Sequence, residues 1–327
     1  MRLAIALCSL SVTMSTACGP SAHDRGGGDG DSDGAGGDGG AGDRADANPA
    51  YDWPDGGPRE ACDQMDILFV IDNSGSMGQE QTNLAANFPA FISVLDSFTN
   101  ADGEPIDYHV GVTTTGVSKE WEIDTGLPFP IEDSQDGEDG HLQTGASCGM
   151  TRRWLQRGDA EVSQKFSCIA SVGTGGPSDE MPLEGARLAL TARMADSSNA
   201  GFLRSEALLA LVLLTDEEDC SRPDDNFTLN FAEDLCGTAA SVSQYVSSFD
   251  GVVGGCDRWA AAIIAGVGPG ACSSDLGNAD EAERLIDFAG QVGANAITSS
   301  ICQGDLATPL ADAMETFQAA CNDIEVD

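Results

Sequence analysis

The sequence of 327 residues is strongly acidic, with 54 acidic and 15 basic residues and a formal net charge of -39. This charge argues against nucleic acid as a partner, because phosphate binding needs a basic face. Two interpretations of the charge stay open: a soluble surface exposed to salt, or affinity for divalent cations. Large apolar residues are nearly absent from residues 19–58 and recur from Cys62 onward. We therefore expect one α/β domain rather than two.

The first predicted element is an export signal. An apolar stretch at residues 3–12 is too short to cross a bilayer as a helix, and it predicts a signal peptide over residues 1–17. The signal ends in the segment MSTAC, which resembles the lipobox of bacterial lipoproteins. The resemblance implies that Cys18 carries a lipid anchor to the membrane. Ordinary cleavage after Ala17, beside an incidental cysteine, is the alternative.

Residues 18–60 comprise the cysteine and a predicted tether. Gly, Asp and Ala dominate this segment. Such a composition has little apolar surface to bury and predicts a flexible, charged linker. Gly19 stands where lipoproteins of the inner membrane commonly carry Asp, so the resemblance implies the outer membrane or the cell surface as the location.

The remaining residues, 61–327, alternate between strand and helix patterns. Continuous apolar runs indicate buried strands, and apolar residues at three- and four-residue intervals indicate helices. In chain order the patterns predict a strand at 65–71, a helix at 79–98, a strand at 108–114, a helix at 182–195, a strand at 207–214, a helix at 231–249, a strand at 260–267, a helix at 282–292, a strand at 294–299 and a helix at 306–320. Residues 115–148 fit neither pattern. The alternation predicts a doubly wound, mostly parallel central sheet flanked by helices, with ligands at the carboxyl ends of its strands.

The 11 cysteines indicate an oxidising compartment, because they are too many for an ordinary cytosolic enzyme and lack the paired spacing of zinc sites. Nine of them fall in the predicted domain, so one should stay free or pair elsewhere. Short separations in sequence, or positions at the two ends of the domain, favour four disulfides: Cys148 with Cys168, Cys220 with Cys236, Cys272 with Cys302, and Cys62 with Cys321.

A loop rich in oxygen ligands follows the first predicted strand. The strand ILFVI runs directly into the sequence DNSGSM, which contains Asp72, Ser74 and Ser76. One carboxylate and two hydroxyls would therefore converge at the sheet edge where such folds bind ligands. Hard oxygen donors suit Mg²⁺, with Ca²⁺ or Mn²⁺ as alternatives. The loop predicts a divalent-cation site.

The strand and loop together resemble the metal-ion-dependent adhesion site of von Willebrand factor A-like domains. The second element of that family, an Asp at the end of a later apolar strand, matches Asp216 in LVLLTDEED. The resemblance covers roughly residues 62–327 and implies a von Willebrand factor A-like fold. It also implies that Asp72, Ser74 and Ser76 contact the ion and that Asp216 holds it directly or through water. The sixth ligand position would then be open to an acidic side chain from a protein partner.

The third element of the family, a Thr in a loop before a helix, has no match at the usual spacing. The corresponding loop offers Asp179 and Glu180 before the helix that begins near Pro182. We favour Glu180 as the substitute because it directly precedes the helix. A carboxylate in place of the Thr should tighten the ion and weaken its attraction for a partner's carboxylate.

The acidic residues continue beyond Asp216 as Glu217, Glu218 and Asp219. One interpretation is a second cation site that includes Asp219. The other is a solvated loop rim beside Cys220, since acidic loops are often merely exposed.

These observations predict a membrane-anchored, extracytoplasmic protein that uses a divalent cation to bind an unidentified protein ligand or to mediate adhesion. We do not expect an enzyme, since the sequence lacks a phosphate-binding Gly-x-x-x-x-Gly-Lys loop and a Gly-x-Ser-x-Gly elbow. Two alternatives stay open. One is a metal-dependent, phosphatase-like hydrolase, and the other is a structural lipoprotein with a degenerate metal loop.

Overall fold

A computed structural model describes residues 62–100, 103–275, 277–304 and 306–324. The predictions of a signal peptide at residues 1–17, of lipidation at Cys18 and of a tether at residues 18–60 lie outside the described residues. Among the helices that are described, none is both long enough and apolar enough to span a membrane.

The described residues form strands and helices in alternation. The strands are β1 (Gln64–Ile71), β2 (Asp107–Thr114), β3 (Lys119–Asp124), β4 (Ile131–Gln135), β5 (Leu155–Gln156), β6 (Leu208–Leu214), β7 (Phe227–Asn230), β8 (Trp259–Ala265), β9 (Cys272–Ser274), β10 (Gly277–Ala279) and β11 (Ala296–Ser300). The helices are α1 (Gly78–Ser97), α2 (Val162–Ala170), α3 (Pro182–Leu190), α4 (Ala192–Ala195), α5 (Val242–Val253), α6 (Glu283–Val292) and α7 (Ala307–Asp323).

The most apolar runs of the sequence form the centre of a six-stranded sheet. Its order is β11-β8-β6-β1-β2-β5, and all neighbours are parallel except β2 and β5. Numbered along the chain within this sheet, the order is 3-2-1-4-5-6 from the β5 edge, which is the usual order of a doubly wound sheet. The predicted fold class is confirmed. The order of the strands reverses between β1 and β6, so the carboxyl ends of these two strands flank the position where such folds bind ligands.

Both faces of the sheet are covered, as the continuous apolar strands require. Phe69 of β1 lies on one face, with ring centroids 5.1 Å from Phe91 of α1 and 5.0 Å from Phe166 of α2. On the other face, Trp259 of β8 packs with its ring centroid 5.4 Å from that of Phe249 of α5. Since both ends of β1 and β6 are held by these two layers, the loops that follow the strands start from fixed positions.

Residues 115–148, which fit neither pattern, contribute to a second, three-stranded sheet. Its order is β4-β3-β7, with β3 antiparallel to β4 and parallel to β7. The strands follow the carboxyl ends of β2 and β6, so this small sheet lies at the same edge of the main sheet as the predicted ion loop. A further hairpin, β9 with β10, follows β8 at that edge.

The prediction of a helix over residues 231–249 is wrong in its first half. Residues 227–230 form strand β7, and the helix begins at Val242. Phe231 supplied part of the helical spacing, but its side chain is exposed rather than turned to the core. After β7, which pairs with β3, the chain passes through turns and a short 3-10 helix at Cys236–Thr238 before the helix begins. The helix predicted over residues 182–195 is also interrupted, at Thr191, between α3 and α4.

All four expected disulfides are present. Their Cα–Cα distances are 5.3 Å for Cys62–Cys321, 5.7 Å for Cys148–Cys168, 4.0 Å for Cys220–Cys236 and 6.1 Å for Cys272–Cys302. The ninth, Cys256, is also disulfide-bonded, so the cysteines of the described residues are all oxidised. This state fits the oxidising compartment that the cysteine content predicts.

The disulfide that joins the two ends of the domain should stabilise it most. Cys62 and Cys321 are 259 residues apart, whereas Cys220 and Cys236 are 16 apart. A cross-link that closes a longer loop removes more entropy from the unfolded chain. We expect replacement of Cys62 and Cys321 by Ser to lower the free energy of unfolding by roughly 2–5 kcal/mol. The matched control is replacement of Cys220 and Cys236 by Ser, which should cost less in urea unfolding. The reverse order would contradict the loop-closure account.

Candidate metal site

The loop after β1 begins with a buried carboxylate that organises its own backbone. Asp72 is fully buried, and its Oδ1 accepts a hydrogen bond from the Ser74 backbone N–H at 2.7 Å. Its Oδ2 accepts from Thr215 Oγ1 at 2.7 Å, which joins the loop after β1 to the end of β6. The Asp72 backbone carbonyl accepts from Gln81 Nε2 of α1 at 2.8 Å. Asp72 is therefore held by both central strands and by the helix that follows.

The two serines of the loop place their hydroxyls beside a second carboxylate. Ser74 Oγ and Ser76 Oγ lie 2.8 Å apart. Ser76 Oγ also donates to Asp216 Oδ1 at 3.1 Å and lies 3.3 Å from Glu217 Oε1. Because a hydroxyl carries one proton, Ser76 can donate fully to only one of the two carboxylates, even if it accepts a hydrogen bond from Ser74. Several oxygens thus face one another with too few protons among them, which is the arrangement that a cation would stabilise.

Glu180 completes the group from the loop before α3. This loop packs directly on the loop after β1, since the Gly176 backbone N–H donates to the Asn73 carbonyl at 2.7 Å. Gly176 is required there because a Cβ would lie only 2.2 Å from Asn73 Oδ1. The Glu180 side chain is 1% exposed, and neither of its carboxylate oxygens has a hydrogen-bond partner among the described residues. A buried carboxylate without a partner is costly, so its presence needs a compensating positive charge or a proton.

A fifth carboxylate approaches from the first turn of α1. Glu80 is 2% exposed, and its Oε2 lacks a hydrogen-bond partner among the described residues. Gly277 of β10 lies against it so closely that a Cβ at Gly277 would overlap Glu80 Oε1. The β9–β10 hairpin therefore covers this side of the site.

The pKa values of these carboxyl groups are raised because the groups are buried beside one another. Burial, and after it the charge of Asp72, raises the pKa of Glu180 to about 10 and that of Asp216 to about 7. Burial also raises the pKa of Asp72 and of Glu80. In the described part of the chain, no Lys, Arg or His forms an ion pair with any of these groups. The site has a deficit of positive charge that the protein's own side chains do not supply.

The predicted metal ligands Asp72, Ser74, Ser76, Glu180 and Asp216 thus come together at the carboxyl ends of β1 and β6. Asp179, the alternative to Glu180, is only half-buried, and its pKa is raised by burial and by the charges of Glu217, Asp133 and Asp234. Its carboxylate lies within 4.8 Å of the sulfur atoms of Cys220 and Cys236. That the five predicted ligands hold an ion stays a prediction.

Asp219 does not fit the second cation site that its neighbours in sequence suggest. Its Oδ2 lies 3.0 Å from Arg284 Nη2, and its side chain also accepts a hydrogen bond from Ser221 Oγ. The neighbouring Glu218 accepts from the Arg284 backbone N–H at 3.1 Å. Asp219 therefore belongs to an internal ion pair with Arg284, which argues against a second cation site, and that site stays a prediction.

One group of three His, Cys, Asp or Glu side chains in the described ranges has its ligand atoms within 4.8 Å of one another: Asp179, Cys220 and Cys236. The two cysteines form a disulfide, so the group is not a metal site. The carboxylates around Asp72 are spaced more widely than this.

Three further side chains support the site, of which sequence reasoning named Glu217 and missed Thr215 and Glu138. Thr215 links Asp72 to β6, Glu217 adds a carboxylate beside Ser76, and Glu138 accepts from Thr114 Oγ1 at 2.5 Å and lies 3.4 Å from Asn73 Nδ2. Thr215 directly precedes Asp216, and its position at the end of β6 could have identified it. Glu138 lies in the unassigned segment, so no sequence pattern indicated it.

Comparison with known proteins finds solved structures of low sequence identity to this chain. No protein-family model matches the chain, and no curated protein matches it. Proximal thread matrix protein 1 from the mussel byssus, solved with a zinc-occupied MIDAS motif, is 16% identical, with 80% of this chain and 46% of that chain covered and a TM-score of 0.41. The manganese-loaded TRAP protein of Plasmodium vivax is 11% identical (79% of this chain, 74% of that chain, TM-score 0.35). The pilus adhesin SpaC of Lactobacillus rhamnosus GG is 12% identical (79% and 30%, TM-score 0.40).

This chain spans less than half the length of the mussel protein and under a third of the pilus adhesin. These identities and TM-scores are too low to support conclusions about the fold or the site. The fold is therefore defined by the strand order of this chain, and the site is defined by the contacts of its own residues.

The raised pKa values predict how the stability of the metal-free protein depends on pH. Glu180 has an ordinary value of 4.5 and a folded value of about 10, so the folded state binds more protons than the unfolded state between these values. The free energy of unfolding in a chelator should therefore fall as pH rises from about 5 to about 10. Asp216 contributes to the lower part of this fall, up to about pH 7.

Urea unfolding across this pH range tests the prediction. Glu180→Gln removes the titrating group and should flatten the slope above about pH 7. Glu315→Gln, at an exposed position of α7, removes one negative charge elsewhere and should keep the slope. Equal slopes in the two variants would refute the assignment of a raised pKa to Glu180.

Proposed function

We propose that the chain is a von Willebrand factor A-like binding protein with a divalent cation held by Asp72, Ser74, Ser76, Glu180 and Asp216. The observation that carries the proposal is the Glu180 carboxylate, which is buried against the loop after β1 with both oxygens unpartnered among the described residues. A bound cation would supply the charge that this carboxylate lacks. The strand order, with its reversal between β1 and β6, supports the placement.

The donor set favours a hard cation. Two hydroxyls and several carboxylates, without sulfur or imidazole, suit Mg²⁺, and Ca²⁺ or Mn²⁺ are the alternatives. The ion would bind Ser74 and Ser76 directly, while Asp72, held by Thr215, would orient its shell. Glu180 and Asp216 would balance the charge. When bound, the ion supplies a positive centre at the surface to which an acidic side chain of a partner protein can be added.

The number of carboxylates around the site determines how tightly an ion would be held and how strongly it would attract a partner's carboxylate. When ionised, Asp72, Glu80, Glu180, Asp216 and Glu217 would carry more negative charge than one divalent ion neutralises. The ion would be held tightly, and its attraction for a partner's carboxylate would be weakened. We therefore propose a binding protein in which the ion stabilises the loops around the site and adds to the recognition of a protein ligand or to adhesion.

We further propose that the protein acts outside the cytoplasm, anchored by lipid at Cys18 to the outer membrane or the cell surface. The disulfides support an extracellular compartment. The anchor rests on the lipobox resemblance of the sequence, and mass spectrometry of the purified N-terminal peptide would detect the acyl chains.

A binding role is proposed in preference to a phosphatase-like hydrolase. His109 Nδ1 lies 2.7 Å from the Phe202 carbonyl and its ring stacks on Trp154, while His141 Nδ1 lies 2.8 Å from the Glu138 carbonyl. Both contacts hold the rings in the framework. Turnover of a generic phosphate ester with added Mg²⁺ would favour the hydrolase instead.

Addition of a divalent cation should raise the melting temperature of the protein. Binding to the folded state alone stabilises it by RT ln(1 + [L]/Kd), which is about 2.7 kcal/mol at a hundredfold excess over Kd. We expect Mg²⁺, Mn²⁺ or Ca²⁺ to give such a shift, measured by calorimetry after treatment with a chelator. Asp72→Asn should abolish the shift, and Glu315→Gln should preserve it. An unchanged melting temperature in the parent protein would refute the cation site and leave the structural lipoprotein as the better account.

A further inference from the structure

The small sheet formed by β4, β3 and β7 has an apolar face that extends beyond the body of the domain. Trp121 of β3 is registered with Phe227 of β7, and the two rings are stacked with centroids 5.9 Å apart. Trp121 is buried, together with Leu229 and Val117. Further along the same face, Ile123 is registered with Ile131, which is exposed. The face thus begins as core and ends in solvent.

The large exposed apolar side chains of the described residues all lie at this one end of the small sheet. They are 53–82% exposed and comprise Leu127, Phe129, Ile131 and Phe231. Leu127 and Phe129 lie in the hairpin between β3 and β4, and Phe231 follows β7, where its backbone N–H donates to the Asp124 carbonyl at 3.1 Å. A soluble domain that gathers its exposed apolar side chains in one patch commonly uses the patch to bind.

The opposite face of the small sheet is acidic and forms a groove. Its volume is 660 Å³, and its lining includes Glu120, Glu122, Glu132, Ser134 and Thr228. Glu122 and Glu132 are directly opposite each other on antiparallel strands, an arrangement that destabilises a strand pair by like-charge repulsion. None of the three glutamates forms an ion pair in the described residues. The groove therefore presents a concentrated negative charge with no cation from the chain itself.

The small sheet also has a free edge. Among the described residues, strand β4 pairs with β3 alone, so its outer edge has no strand partner, although the Ser134 backbone N–H donates to Asp133 Oδ1 at 2.9 Å. All but the last of its residues are exposed. Addition of an extended segment to such an edge is a common mode of peptide recognition, in which the backbone supplies affinity and alternate side chains supply specificity.

Charge decides which occupant fits this surface. A second copy of the chain, with a net charge of -39, would bring the same carboxylates into contact and be repelled, and an anionic lipid surface would be repelled in the same way. The chain's own segment between Gly19 and Pro58 is itself rich in Asp and poor in large apolar residues. We infer that the small sheet docks an extended basic segment of a partner protein, with its Lys or Arg side chains in the acidic groove and its large apolar side chains on the patch of Phe129 and Phe231.

The docking surface is connected to the candidate metal site by two contacts. Gln135 Nε2, at the end of β4, donates to the Asp179 carbonyl at 3.1 Å, directly before Glu180. Glu138 lies 3.4 Å from Asn73 Nδ2 in the loop after β1. The docking residues are different from the proposed metal ligands. Binding of a partner to this surface therefore does not require a bound cation.

The test is a binding titration, followed by fluorescence anisotropy, with a synthetic peptide in which Lys and Phe occupy alternating positions, so that the two side-chain types point to opposite faces of an added strand. The wild-type protein should bind the peptide, and binding should weaken as salt is added. The double variant Phe129→Ser, Phe231→Ser should bind about tenfold more weakly, which corresponds to roughly 1.4 kcal/mol. Glu122→Gln with Glu132→Gln should reduce the salt dependence. Because these residues are exposed, the melting temperature should not fall in either variant, which separates lost binding from lost folding.

Three controls make the result decisive. Glu315→Gln, a charge change on α7, should bind like the wild type, and a peptide with Ser in place of each Phe should bind at least about tenfold more weakly. Titration in a chelator should give the same affinity difference between the wild type and the double variant, so that failure of the ion site is distinguished from failure of this surface. Equal binding by the double variant, equal binding of the peptide without Phe, or binding to phosphatidylserine vesicles rather than to the peptide would each overturn the inference.

Discussion

Burial of several neighbouring carboxyl groups at the carboxyl ends of β1 and β6 is the constraint on which the rest of this structure depends. Asp72, Glu180 and Asp216 are each less than 5% exposed. Burial is the largest cause of the raised pKa of each group, and the charges of neighbouring carboxylates raise it further. Burying ionised carboxylates without a positive partner is costly, so these groups need a cation or protons. The parallel sheet makes it possible, because two apolar layers fix the strand ends and the disulfides fix the outer loops.

The same edge of the sheet carries three insertions that a minimal doubly wound fold does not need. The small sheet follows β2 and β6, the loop with Glu180 precedes α3, and the β9–β10 hairpin follows β8. The loop and the hairpin close over the carboxylates, at Gly176 and at Gly277 respectively, where no side chain would fit. The small sheet instead reaches outward with an apolar patch and an acidic groove. One edge of the molecule thus combines a charged interior with a surface built for contact.

The central strands could be predicted from the sequence because burial on both faces leaves a continuous apolar run, as in residues 208–214. The loop after β1 could be predicted because its ligands are adjacent in the chain. Contacts between distant residues could not be predicted in this way. The pairing of Asp219 with Arg284 spans 65 residues, and Glu138 reaches the Asn73 loop across the same distance in sequence. The helix predicted from residue 231 failed because Phe231 contributes to an exposed patch rather than to the core, and periodicity does not distinguish the two.

The most direct test of the central claim is the position of a bound ion. In crystals of the protein grown with Mn²⁺, the anomalous difference map collected at the manganese edge should show one strong peak beside Ser74 Oγ and Ser76 Oγ, within reach of Asp72, Asp216 and Glu180 directly or through water. Asp72→Asn crystals should lose the peak. A peak at another place on the acidic surface, with none beside the two serines, would contradict the account, and the carboxylates of this edge would then have to be held neutral by protons.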